Sequence, residues 1–165
     1  MIRRRRSGSD RAPPDADEAR SYALRALGRR EHGARELAHK LARTGVDDAE
    51  ADSIVETLAA DGWQSDTRFA ELLIRSRVAQ GYGPLRIRAE LATKGVSETL
   101  INAALNDVEI DWTVRLRQLY TRRYPEAASG AKERASRYRF LAGRGFTSEQ
   151  IRAVLKSSEF DEHES

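Results

Sequence analysis

Arginine is the residue type in this sequence whose placement could do chemistry. Ten stand out across two stretches: Arg68, Arg75, Arg77, Arg86 and Arg88, then Arg115, Arg122, Arg123, Arg134 and Arg137. A guanidinium is planar, stays charged and donates hydrogen bonds in pairs, which suits phosphate oxygens and equally the carboxylates of a protein partner. Arg68 and Arg75, seven apart, fall on one exposed face of a helix, as do Arg115 and Arg122; Arg134 and Arg137 are also read as sharing a face. Tyr120, Tyr124, Tyr138 and Phe140 interleave with the second set, a combination compatible with binding a nucleic-acid backbone. Tyr138 and Phe140 flank Leu141 and read as core, and Tyr82 reads as packing a turn.

Charge is distributed unevenly along the chain. The total is +3. Residues 15–62 hold seven basic and eleven acidic side chains, net −4, whereas residues 111–156 hold eleven basic and four acidic, net +7. The basic end is the kind of surface that attracts a polyanion or an acidic patch, and the acidic end would favour a basic patch on a partner.

Groups that could catalyse do not converge. His32, His39 and His163 are scattered, and cysteine is absent, which removes thiol nucleophiles, disulfides and thiolate metal sites. No serine sits in an elbow motif, and Gly81-Tyr82-Gly83-Pro84 follows a helical pattern rather than a strand, so it reads as a turn and not a phosphate loop. A non-enzymatic protein with no catalytic residue, metal or cofactor is expected. No apolar run is long enough to span a membrane, and Arg3–Arg6 has no apolar segment behind it to make a secretory signal, so a cytoplasmic protein is expected.

The arginines need elements to hold them, and an internal repeat supplies these. Leu41, Leu91 and Leu141 align at one offset, as do Gly45, Gly95 and Gly145. Each glycine stands where a helix ends in a positive φ. The next residue (Val46, Val96 or Phe146) packs back, and the one after (Asp47, Ser97 or Thr147) is a strong N-cap. Thr147 with Gln150 fits a capping box, whereas Leu100 breaks the box after Ser97. Apolar stripes at helical spacing follow: Ala51, Ile54, Val55 and Leu58, then Ile101, Ala104, Leu105 and Val108, then Ile151, Val154 and Leu155. A leading helix precedes each pair, with Phe69, Leu72, Leu73 and Ser76 as the stripe of the second. Breakers at Gly33, Gly81 to Pro84 and Pro125 to Gly130 separate leading from middle helices.

The pattern predicts an all-α fold of three tandem three-helix repeats, about nine helices, over residues 15–62, 63–109 and 110–157. Residues 1–14 read as a disordered basic arm and 158–165 as an acidic tail. At 39% hydrophobic and 33% charged residues, thin helical layers in an elongated molecule suit the composition better than one broad core. Trp63, Phe69, Leu72, Leu91 and Leu105 are expected to fill the core of the second repeat.

Specific residues carry a family resemblance. Asp66-Thr67-Arg68-Phe69-Ala70, Arg75-Ser76-Arg77, Gly81-Tyr82-Gly83-Pro84-Leu85-Arg86-Ile87, Glu90-Leu91 and Lys94-Gly95-Val96 resemble the core of the RecX regulatory proteins. Ala23 to Leu27, Arg35-Glu36-Leu37 and Lys40-Leu41 add to the likeness, which covers about residues 17–156. It is strongest in the middle repeat; the Arg3–Arg6 arm lies outside it. The resemblance implies a curved molecule of three-helix modules that lodges in the groove of the RecA–DNA filament. It implies inhibition of RecA ATPase and strand exchange, with RecA and single- and double-stranded DNA as partners, directly or through RecA. It implies no catalytic residue or cofactor and does not say which residues touch RecA and which touch DNA. A monomer is expected. The alternative reading is a stand-alone nucleic-acid-binding helical repeat protein.

Overall fold

The computed structural model describes residues 12–160. Among the described residues there are nine helices and no strand. They are α1 (Ala16–Leu27), α2 (Ala34–Ala42), α3 (Asp48–Ala60), α4 (Asp66–Ala79), α5 (Pro84–Thr93), α6 (Glu98–Asp107), α7 (Trp112–Arg123), α8 (Ala131–Gly143) and α9 (Ser148–Phe160). They group as three tandem three-helix repeats: α1–α3, α4–α6 and α7–α9. The basic arm lies outside the described residues except at 12–14, which are not helical, and the acidic tail lies outside them from 161 on. Helix α9 runs to Phe160, into the stretch read as tail.

The repeated glycines work as the spacing predicts. Gly45, Gly95 and Gly145 have φ of 101°, 85° and 93°. In the second and third repeats the following N–H turns back to the helix: Val96 donates to the Leu91 carbonyl (3.1 Å) and Phe146 to that of Leu141 (3.4 Å). The next helix then starts on a side-chain cap. Asp47 accepts from the Ala49 N–H (3.1 Å) and Ser97 from that of Leu100 (3.3 Å). Thr147 and Gln150 exchange both bonds of a capping box, at 2.9 and 3.2 Å. These bonds satisfy backbone groups that a helix end leaves without partners.

The chain divides into two compact units, Met1–Ser65 and Asp66–Ser165. In the first, Leu37, Leu41 and Leu58 are fully buried, each worth about 1.5–3 kcal/mol of apolar transfer. Ala19 and Ala23 are the buried residues of α1, small enough to let it close on the other two helices.

The second unit holds two cores. Phe69, Ile74, Ile87, Leu91 and Ile101 build one; Leu116, Leu119, Leu141, Phe146 and Ile151 build the other, and Trp112 packs against both. Backbone joins them as well. The Gly83 N–H donates to the Arg144 carbonyl (2.8 Å) and the Leu85 N–H to that of Gly145 (2.9 Å).

Two expected core residues are on the surface. Leu72 is 51% exposed because the buried stripe of α4 is Phe69, Ala70, Leu73 and Ile74; Leu72 and Ser76 lie outside it. Trp63 is 58% exposed. It follows the turn at Gly62 (φ 79°), where its N–H closes on the Leu58 carbonyl (2.9 Å). Phe69 and Leu91 are buried as expected, and Leu105 is half-buried against the same core.

Candidate functional site

The ten arginines separate into distinct environments, all within the second unit. Arg68, Arg75, Arg86, Arg115, Arg122, Arg123 and Arg134 are exposed, and Arg88 is half-buried on α5. Arg75 and Arg115 come together at one groove of about 460 Å³ between the end of α4 and the start of α7. Val78, Ile110 and Val114 give it an apolar wall, and Glu109 and Asp111 of the α6–α7 link stand on its rim. Glu109 holds a φ of 46°, a backbone conformation uncommon for any residue but glycine. Among the described residues neither Arg75 nor Arg115 has an ion-pair partner.

Arg77 has its counterion inside the repeat. Its Nε and Nη2 donate to the two carboxylate oxygens of Glu90, each at 2.7 Å. The bidentate bond holds Glu90 below the ordinary carboxylate range and raises the already high Arg77. This pair lines a second groove of about 490 Å³ with Gln80, Tyr82 and Arg86. There the Arg86 guanidinium lies 4.3 Å from the Tyr82 ring centre and that of Arg144 lies 4.8 Å from it. Tyr82 therefore packs its turn, as expected, while also taking two cations.

Arg137 is turned inward, unlike the other candidates. It is 4% exposed. Its Nη1 donates to the Tyr120 hydroxyl (2.9 Å), its Nη2 to the Ala127 carbonyl (3.2 Å), and its Nε to Glu133 (3.1 Å). Burial lowers its pKa, but the bonds to Glu133 and Tyr120 outweigh this and the net direction is up. Arg137 thus pins the irregular 124–130 link to α7 and α8, whereas Arg134 on the same helix faces solvent. Tyr138 and Phe140 are half-buried against the third core, as read from their place beside Leu141. Arg123 extends over Phe140, 5.4 Å from the ring centre.

Sequence reasoning did not place Arg144 among the candidates. It donates to the Gln80 carbonyl (3.3 Å) and covers Tyr82 and Phe140, so it joins the second and third repeats. No helical spacing signals a contact 64 residues away in sequence.

Among the described residues no group of three or more His, Cys, Asp or Glu side chains could hold a metal ion, and no helix is long and apolar enough to cross a membrane. The carboxylates nearest the candidate arginines serve as structural counterions or rim groups. Fold and surface together define a tandem three-helix repeat protein that presents arginine-lined grooves.

Comparison with known proteins narrows this class. Residues 19–58, 65–105 and 109–155 match the first, second and third three-helix domains of RecX. The chain belongs to the RecX family. It is 41% identical over 148 residues to the regulatory protein RecX of Halorhodospira halophila (strain DSM 244 / SL1), covering 89% of this chain and 92% of that one. It is 43% identical over 148 residues to the regulatory protein RecX of Acidithiobacillus ferrooxidans (strain ATCC 53993 / BNL-5-31), covering 89% and 91%. The crystal structure of RecX from Lactobacillus salivarius superposes with a TM-score of 0.72 at 19% identity, over 88% of this chain and 97% of that one, a likeness of fold. The name shared by the curated relatives is that of regulators, consistent with a protein that works by binding.

Proposed function

We propose that this chain binds the RecA–DNA filament and modulates it, mainly by inhibiting RecA ATPase and strand exchange, and so acts in recombinational repair. The observation that carries the reading is the Arg75–Arg115 groove: two exposed guanidinia, without an ion-pair partner among the described residues, beside an apolar wall. Such a groove offers paired donors to phosphate or carboxylate and an apolar face to a protein surface, which suits a filament made of both. Membership of the RecX family supports the choice of RecA. The protein works as a cytoplasmic monomer in this reading, without cofactor or catalytic group.

The test is a titration of DNA-stimulated RecA ATPase with the full chain at several salt concentrations. A dose-dependent fall is expected, and an unchanged rate at molar excess would rule the function out. Retention on immobilised RecA without DNA at moderate salt separates this reading from a stand-alone nucleic-acid binder, because purely phosphate-driven binding weakens steeply with salt.

A further inference from the structure

We propose that the cleft between α1 and α2, in the first unit, is a phosphate-binding site. The cleft measures about 340 Å³ and is walled by Tyr22, Arg25, Arg29, Arg30, His32 and Lys40. Every charged side chain lining it is cationic, in a unit whose net charge over residues 15–62 is −4.

Its origin is visible by comparing repeats. The groove of the second repeat lies at the corresponding place, between its first and second helices. Moving back by the fifty-residue repeat, Tyr82 becomes His32, Gln80 becomes Arg30 and Glu90 becomes Lys40. The second repeat answers Arg77 with Glu90 at 2.7 Å. In the first repeat that acidic position carries another cation. The nearby carboxylate of Glu36 is engaged by Arg30, which donates to both its oxygens. Among the described residues, Arg25, Arg29 and Lys40 have no ion-pair partner. The same place in the fold pairs one of its two arginines with a carboxylate in one repeat and carries a lysine at that carboxylate's position in the other.

The cleft also has a built floor. His32 is 3% exposed. Its Nδ1 lies 3.0 Å from the Arg30 carbonyl, and its own carbonyl accepts from Nε2 of the buried Gln64 (3.1 Å). Burial holds His32 below its ordinary pKa, so the neutral ring donates from Nδ1 to that carbonyl. Arg25 and Lys40 stand in the last turns of α1 and α2, where a cation offsets the partial charge of the helix end. That effect needs neither cation to converge on a common cleft. Among the described residues, neither Arg25 nor Arg29 donates a side-chain hydrogen bond to a helix-end carbonyl.

Phosphate fits the cleft better than a lone carboxylate does. Three cations exceed the charge of one carboxylate, and the forked guanidinia of Arg25 and Arg29 at the end of α1, facing the Lys40 ammonium of α2, match an oxyanion that accepts on several sides. The source is either the backbone of a nucleic acid or a free condensed phosphate. The site does not depend on RecA being the partner.

The test uses the full chain without RecA. Pyrophosphate is titrated against the protein while the His32 ring and the Arg29 and Lys40 amides are followed by NMR, with succinate as the carboxylate comparison. In parallel, anisotropy of a labelled oligothymidylate is measured across salt concentrations for the parent, for Arg29→Ala/Lys40→Glu, and for the milder Arg29→Gln/Lys40→Gln. Circular dichroism checks that each variant keeps its helicity. Pyrophosphate should shift these signals in the parent and not in the variants, and the salt slope for the oligonucleotide should fall by about 0.7 for each contact removed. Loss of only the slope change identifies free phosphate as the source, and loss of only the pyrophosphate response identifies the backbone; either supports the site. Unchanged signals together with an unchanged slope would overturn it, as would a succinate response equal to that of pyrophosphate.

Discussion

The backbone of Gly83 lies directly against the backbone of Gly145. A Cβ built on Gly83 would come within 2.5 Å of the Gly145 carbonyl carbon and 2.6 Å of the Phe146 nitrogen. A Cβ on Gly145 would stand 2.6 Å from the Arg86 nitrogen. Both glycines are therefore fixed by space, and Gly145 also by its φ of 93°. Gly83 has φ −91°, which any residue adopts, so a substitution there tests the close approach alone. Gly83→Ala is expected to cost about 1–3 kcal/mol through overpacking. Faster amide exchange at Gly83 and Leu85, the donors across the junction, should accompany the loss. Parental exchange rates and melting temperature in this variant would show that the contact is soft.

Leu91 has a different role, filling the middle core. It is fully buried among Phe69, Ile74, Ile87 and Ile101. Leu91→Ala should lower stability by about 2–5 kcal/mol, read from denaturant unfolding with a lowered midpoint. Leu72→Ala, on the exposed side of α4, should stay within about 0.5 kcal/mol of the parent. Equal effects from the two would contradict the observed phase of α4.

That phase shows where the sequence is legible and where it is not. Glycine, apolar residue and cap follow each other at a fixed offset, and their meaning is local, so helix ends and repeat number can be read directly. In α4, apolar residues surround the helix: Leu72 competes with Ala70 and Ile74 for the buried stripe, and only packing against α5 and α6 decides. Arginine is harder still. Arg134 and Arg137 look equivalent at helical spacing, yet Arg137 turns inward because Tyr120, Ala127 and Glu133 offer it acceptors. Tyr120 and Ala127 come from another helix and an irregular link, which periodicity does not report, although Glu133 stands one turn back on the same helix. Arg77 differs from expectation, and Arg144 goes unsignalled, for the same reason, since their partners sit 13 and 64 residues away.

Glu133 should make the third repeat acid-sensitive. The Ser129 N–H and hydroxyl and the Arg137 guanidinium donate to it, and they lower its pKa from 4.5 to about 2. A depressed carboxylate contributes stability above the unfolded pKa and loses it as pH falls through the folded value. The contribution is therefore complete above about pH 4.5 and fades between there and about pH 2. Glu133→Gln should flatten this part of a stability-against-pH curve and lower stability at neutral pH. A curve parallel to that of the parent across the window would show that Glu133 does not supply the dependence.

Binding should be lost through the exposed arginines and spared, at the level of contact, by the internal ones. Arg115 and Arg122 lie seven apart on the outer face of α7, and Arg115 shares its groove with Arg75. Replacing Arg115 and Arg122 by Ala removes no ion pair or hydrogen bond among the described residues, so helicity and melting temperature should stay near those of the parent. If these side chains meet phosphate, each one removed should reduce the salt slope of binding to double-stranded DNA by about 0.9 and weaken binding without sequence bias. Inhibition of RecA ATPase should then need several-fold more protein. Arg137→Ala should behave in the opposite way, costing about 1–3 kcal/mol of stability because buried acceptors lose their donor, while leaving the salt slope unchanged in the folded fraction. A double variant at Arg115 and Arg122 that inhibits as well as the parent at every salt concentration would make this face a solvated surface and move the contact elsewhere.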